Sequence, residues 1–168
     1  VNDRFKFAIF DSAGFCKWLK SALPGELRIY HAGNLGVDRV DDQELNVLAD
    51  LVLLMTELGA VTTTQYRQYL NIIDVWVYVA VRRRGGLLPK AIVNRSLTSI
   101  EYRALRAIRD RDADISAARA IRDALSSTLT SSDVEAHRIL EGLKARNFVE
   151  EAPGKGWQLS APGLRVMT

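Results

Sequence analysis

Two hydrophobic periods alternate along the chain, one of three to four residues and one of two. Phe15 and Leu19 share one face of a helix that Ser12 is expected to cap and that runs to about Ala22. Leu23-Pro24-Gly25-Glu26 is a turn, and Leu27 to His31 reads as a short strand. Ala32-Gly33-Asn34-Leu35-Gly36 reads as a loop, because two glycines and an asparagine flank one leucine. Asp42 caps a long helix from Gln43 to Leu58, and Gly59 stops it. Val61 to Arg67 and Asp74 to Arg82 are strands, joined by a loop over Gln68 to Ile73. In the second strand Val75, Val77, Val79 and Val81 alternate with Trp76, Tyr78 and Ala80. Both of its faces are apolar, so it is expected to be central or covered on both sides. The order helix, strand, helix, strand, strand predicts a small antiparallel sheet with two helices packed on it.

The run Arg82-Arg83-Arg84-Gly85-Gly86 ends this first part. Its glycines, with Pro89, place a linker over residues 85–96 between a domain at 1–84 and another at 97–168. Beyond the linker, Thr98 and Glu101 form a capping-box pattern for a helix from Ser99, with Ala104, Leu105 and Ile108 inside. A second helix is expected from Ile115 or Ser116, with Ala118, Ile121, Leu125 and Leu129 on its inner face. Ser132 and Glu135 make another capping box, which opens a helix from Asp133 to Arg146. Ala136, Ile139, Leu140 and Leu143 line its buried face, while Val134, Glu135, His137, Arg138 and Glu141 fall opposite. Phe148 to Glu151 and Trp157 to Leu159 flank the turn Ala152-Pro153-Gly154-Lys155-Gly156 as a β-hairpin. The whole chain therefore reads as α+β: a small N-terminal sheet with two helices, then helices and a hairpin in the order of a winged helix-turn-helix.

The stretch SSDVEAHRILEGLKARNFVEEAPGKGWQLSAPGLRV resembles winged-helix regulators of the MarR type. In that family a recognition helix ends on leucines, a small residue and an apolar–Val pair open the wing, and the wing returns on a Leu–Ser/Thr step followed by glycine. Leu140, Leu143, Asn147, Phe148, Val149, Leu159, Ser160 and Gly163 match those features. The resemblance implies that the helix from Asp133 enters the major groove of double-stranded DNA and presents Glu135, His137 and Arg138. It implies further that Ser131 and Ser132 donate to phosphates and that Lys155 reaches the backbone or minor groove from the wing tip. The match departs from the family in charge: the wing carries one Lys155 beside Glu150 and Glu151, and Glu135 and Glu141 repel phosphates unless they accept from cytosine amino groups. The N-terminal stretch GELRIYHAGNLGVDR, followed by a long helix and a strand ending in aromatic and basic residues, is similar to small proteins of unknown function carried on phages and prophages. That similarity implies service to a mobile element.

Composition narrows the reading. Apolar residues make up 48% of the 168, enough for packed cores. Cys16 is the one cysteine, which excludes an internal disulfide, fits a reducing cytoplasm and reads as a small buried apolar residue. No secretory leader is read at the start, and Val1 is expected to follow a removed methionine or to open an excised piece of a longer chain. The longest apolar stretch, Leu45 to Val61, holds Asp50 and Glu57 and falls short of the roughly 20 residues of a membrane span. The net charge is +3, and neither half is a polycation: residues 1–95 carry 12 Lys and Arg against 10 Asp and Glu, residues 96–168 carry 11 against 10. Contact with nucleic acid must come from local placement of charge.

Candidate chemistry outside the winged helix is sparse. His31 and His137 are the only histidines, and neither has a cysteine or second histidine at ligand spacing, so no metal site is expected. Asp38, Asp41 and Asp42 read as caps for the long helix. Gly33-Asn34-Leu35-Gly36 lacks the Lys and Ser/Thr of a phosphate loop, and no nucleophile elbow or catalytic carboxylate pair is visible. No catalytic residue and no cofactor is expected, and the chain reads as a non-enzyme. Arg82, Arg83 and Arg84 are read either as a solvated strand end or as a phosphate clamp. The leading expectation is a cytoplasmic DNA-binding regulator acting as a homodimer, with residues 1–84 dimerising or holding a partner. The alternative is a phage-derived inhibitor or adaptor that binds another protein and uses the winged helix as a scaffold.

Overall fold

The computed structural model describes residues 11–70, 73–112, 114–126, 128, 132–154 and 156–167. The protein is mixed α+β, and it divides into two compact units at residues 88 and 89.

In the first unit Asp11, one residue earlier than expected, caps α1 (Ser12–Ser21) by accepting from the Gly14 amide at 2.7 Å. Phe15, Cys16, Trp18 and Leu19 form its buried face. Strand β1 (Leu27–Ala32) follows the expected turn. Of the loop expected over residues 32–36 only Gly33 and Asn34 lie between elements, and Leu35 and Gly36 open a seven-residue helix, α2 (Leu35–Asp41), capped by Asn34 and burying none of its residues. Asp42 caps α3 (Gln43–Glu57) through the Leu45 amide at 3.0 Å, and Gly59, at φ 70°, takes the left-handed conformation that ends it. Strands β2 (Val61–Leu70) and β3 (Ile73–Arg82) run antiparallel in unbroken register from Val61 opposite Arg82 to Leu70 opposite Ile73. Gln68 to Leu70 and Ile73, expected in the loop, thus belong to the strands. The sheet order is β1-β3-β2, so the strand with two apolar faces is the central one. Val77, Val79 and Ala80 are buried in it.

The second unit begins inside the expected linker. Residues Lys90–Val93 form the short helix α4, and Ala91, Ile92, Val93 and Leu97 are buried. Helix α5 (Ser99–Asp110) starts at a complete capping box: the Thr98 amide donates to Glu101 at 2.8 Å and the Glu101 amide to the Thr98 hydroxyl at 3.2 Å. Ser116 caps α6 (Ala117–Ala124), whose buried positions are Ala117 and Ile121, with Leu125 following. Ala118, expected inside, is half-buried, and Leu129 lies outside the described residues. Helix α7 (Asp133–Ala145), hairpin strands β4 (Val149–Ala152) and β5 (Gly156–Leu159), and a short helix α8 (Ala161–Val166) complete the unit. Tyr102, Leu105, Ile121, Leu125, Leu140 and Leu143 are its largest fully buried side chains besides Ile92. No helix among the described residues is long and apolar enough to cross a membrane.

Candidate interface on helix α7 and the hairpin

Helix α7 owes its orientation to residues at both ends. At its start the Ser132 hydroxyl accepts from the Glu135 amide at 3.1 Å. At its end Asn147, at φ 59°, adopts the left-handed conformation. The Asn147 amide donates to the Lys144 carbonyl at 2.8 Å and the Phe148 amide to the Leu143 carbonyl at 2.9 Å, which closes a Schellman motif. Asparagine tolerates this backbone better than most residues. Arg146 fastens the same end, donating to Glu101 at 2.5 Å and to the Ser96 carbonyl. The capping glutamate of α5 therefore also anchors α7.

Ala136, Ile139, Leu140 and Leu143 are buried, as their spacing predicts. The other face is open. Val134 is 81% exposed, and Ser132, His137, Arg138 and Glu141 are exposed beside it. These side chains do not stand alone. Arg138 donates to both oxygens of Glu135, at 2.9 and 2.5 Å. That donation holds the Glu135 carboxyl below the usual carboxylate range, against a smaller opposing effect of burial. Glu135 thus turns forward to Arg138 while its own amide serves the Ser132 cap. His137 Nδ1 lies 2.8 Å from the Asp133 carbonyl. Arg122 of α6 reaches Asp133 at 3.0 Å and also contacts Asp123, so the first turn of α7 carries a second internal ion pair. Sequence reasoning passed over Arg122 and Asp133, since a pair eleven residues apart has no helical spacing to announce it.

The hairpin sits beside this helix. Val149 pairs with Leu159, Glu150 with Gln158, Glu151 with Trp157 and Ala152 with Gly156. Gln158 donates to Glu150 at 2.9 Å. Arg111 donates to the carbonyls of Ile115 and Trp157, both at 2.7 Å, and ties the hairpin to the end of α5. Lys144 stands 5.0 Å from the Trp157 ring centroid, within cation–π reach. Ser160 donates to the Asn147 carbonyl at 2.5 Å and caps α8 through the Gly163 amide at 3.1 Å. Ser131 and Lys155, two of the expected phosphate contacts, lie outside the described residues.

The expected arginine clamp belongs to the first unit. Arg82 is half-buried, and its Nη1 donates to the Ala60 carbonyl at 2.7 Å and the Arg83 carbonyl at 3.1 Å. It braces the junction of α3 and β2. Arg83 and Arg84 are exposed. The acidic group before α3 also divides: Asp42 caps, whereas Asp38 accepts from His31 Nε2 at 2.8 Å and from the Asn34 amide at 2.9 Å. His31 is thus a buried strand residue with a polar partner. Asp50, wholly buried, meets Arg39 at 2.5 Å. No family model, no curated protein and no solved structure matches this chain.

Proposed function

We propose that residues 97–168 form a winged helix-turn-helix of the MarR type that lays α7 in the major groove of duplex DNA, and that the chain is a transcriptional regulator working as a pair of copies. One observation carries this reading. The apolar stripe of α7 is buried, which leaves Val134, His137 and Arg138 open at the N-terminal half of the helix, where a recognition helix meets base edges. Val134 offers an apolar contact for a thymine methyl, and Arg138 offers the fork that reads guanine. Ser131, Ser132 and Lys155 take the phosphate roles in this reading, with Arg83 and Arg84 as further phosphate contacts from the first unit. Because Glu135, Glu141, Glu150 and Glu151 share the surface, affinity rests on base contacts more than on counterion release. Service to a phage or other mobile element belongs to the same reading.

Fluorescence anisotropy against a duplex library at two salt concentrations tests it. Arg138→Ala is expected to weaken binding of the selected duplex by about 1–3 kcal/mol and to relax its sequence preference. Selection of no duplex by the full chain removes the reading.

A second reading draws on the ion pairs Arg138–Glu135 and Arg122–Asp133, which neutralise cations that a phosphate backbone would otherwise attract. In it, α7 and the hairpin dock on another protein and the chain is an adaptor or inhibitor. Pulldown with and without nuclease separates the two. A partner that survives nuclease and is lost in Val134→Asp favours the adaptor.

A further inference from the structure

The outer edge of β2 is unusual for a strand that ends a sheet. Exposed strand edges attract other strands, and proteins blunt them with short length, lysine, proline or a bulge. β2 has ten residues, about twice the common strand length, and keeps unbroken register with β3. It contains no proline and no lysine. Its one formal charge, Arg67, meets Asp74 of β3 at 3.3 Å. Among the described residues no strand pairs with its other side. Every side chain from Thr62 to Arg67 is exposed whichever face it points to. Among the described residues of the first unit no helix therefore overhangs this edge, and a folded body can approach it as readily as a loose peptide.

We propose that β2 pairs antiparallel with β2 of a second copy of this chain, so that the sheet β1-β3-β2 continues through the mirror order in the partner. A two-fold axis perpendicular to the sheet keeps side chains of opposed residues on a common face, so it passes through a residue position. Centred on Gln65, it sets Gln65 opposite itself, Thr64 opposite Tyr66, Thr63 opposite Arg67 and Thr62 opposite Gln68. No like charges meet, and threonine faces an aromatic ring, a favourable cross-strand pair. A pairing of this length supplies on the order of ten backbone hydrogen bonds, the number a standard protein interface carries. The neutral, threonine-rich edge fits its own copy better than it fits a charged strand. This assigns the pairing that the DNA reading calls for, but its test measures association and not DNA binding, so either can fail without the other.

Sedimentation equilibrium of the full chain, without DNA, is the test. The wild type is expected to be a dimer at micromolar concentration. Thr63→Lys/Gln65→Lys places like charges at the axis and against Arg67 of the second copy, and is expected to raise the dissociation constant on the order of tenfold. Thr63→Glu sets a carboxylate opposite that arginine and is expected to lower it. Both sites are exposed, so circular dichroism of either variant should match the wild type. A monomeric wild type, or a dimer indifferent to both substitutions, overturns the proposal.

Discussion

Arg138 and Glu135 form a two-pronged pair across one turn of α7, with Nε at 2.9 Å from one carboxylate oxygen and Nη2 at 2.5 Å from the other. The same arginine is the base-reading candidate, so its partner sets how it meets a ligand. Glu135→Gln removes a negative charge from the surface turned to phosphates in the proposed docking. Affinity for non-specific duplex is expected to rise, with the salt slope steeper by about one phosphate contact. Anisotropy titrations across a salt series report both quantities, and a fall in non-specific affinity would place α7 away from the backbone.

The pair also predicts a titration. Hydrogen bonding from Arg138 holds the Glu135 carboxyl below its usual range. A carboxyl depressed in the folded state adds stability above its unfolded pKa, and that addition disappears as pH falls through the folded value. Asp110, held low by Arg109, follows the same sign. In Arg138→Ala the Glu135 carboxyl is expected to move up toward the ordinary carboxylate range. Carbon-detected NMR of the side-chain carboxyl, from acid to neutral pH, reads the shift. An unchanged midpoint would show that the pair does not hold in solution.

What the sequence discloses about this protein is what short stretches decide for themselves. Thr98 with Glu101 and Asp42 are caps whose partners lie three residues away, and they form as read, whereas of the capping box expected at Ser132 and Glu135 only the Ser132 half forms. The valine alternation of β3 belongs to the strand that lies between the other two, where Val77, Val79 and Ala80 are buried. Helix α2 escaped notice because Val37 and Val40 are exposed and no residue of it is buried, so it carries no amphipathic signature. The His31–Asp38 pair joins a strand to a helix across seven residues, a spacing with no local signal. Arg82 reads from the sequence as a solvated strand end or a phosphate clamp because its acceptor, the Ala60 carbonyl, lies twenty-two residues away. In α7 the caps and the buried stripe were legible, while the ion pairs that temper its charge were only partly so. Arg138 and Glu135 are three apart, but whether Glu135 turns back to the cap or forward to the arginine is settled by geometry.

Val134 and Leu140 give a test of which face of α7 does what. Leu140 is buried at 1% exposure, so Leu140→Ala is expected to cost about 2–5 kcal/mol of stability. Val134→Ala changes an open position and should leave stability within about 0.5 kcal/mol. If α7 is the docking face, Val134→Ala nevertheless weakens binding, whether the partner is duplex or protein. Chemical unfolding and a binding titration on the same two variants check this. A Val134 variant that unfolds early would mean that the position is covered.

Gly142 and Gly163 predict opposite outcomes for one substitution. Gly142 lies within α7, and a Cβ added there meets nothing within 4 Å. Glycine in a helix interior loses more backbone freedom on folding than alanine, so Gly142→Ala is expected to stabilise the second unit by about 0.5–1 kcal/mol. Gly163 is buried at the start of α8, where a Cβ would come within 2.0 Å of the Phe148 carbonyl oxygen, a backbone atom with no side-chain freedom to yield. That carbonyl already accepts from the Ser160 amide at 3.1 Å, so displacing it also disturbs the junction of α7, β4 and β5. Gly163→Ala is expected to destabilise by about 1–3 kcal/mol, the range for overpacking in a well-packed core. Hydrogen exchange of the amides in residues 89–167 resolves the two effects without interference from the first unit. Equal protection in the two variants would mean that α8 is not held against Phe148.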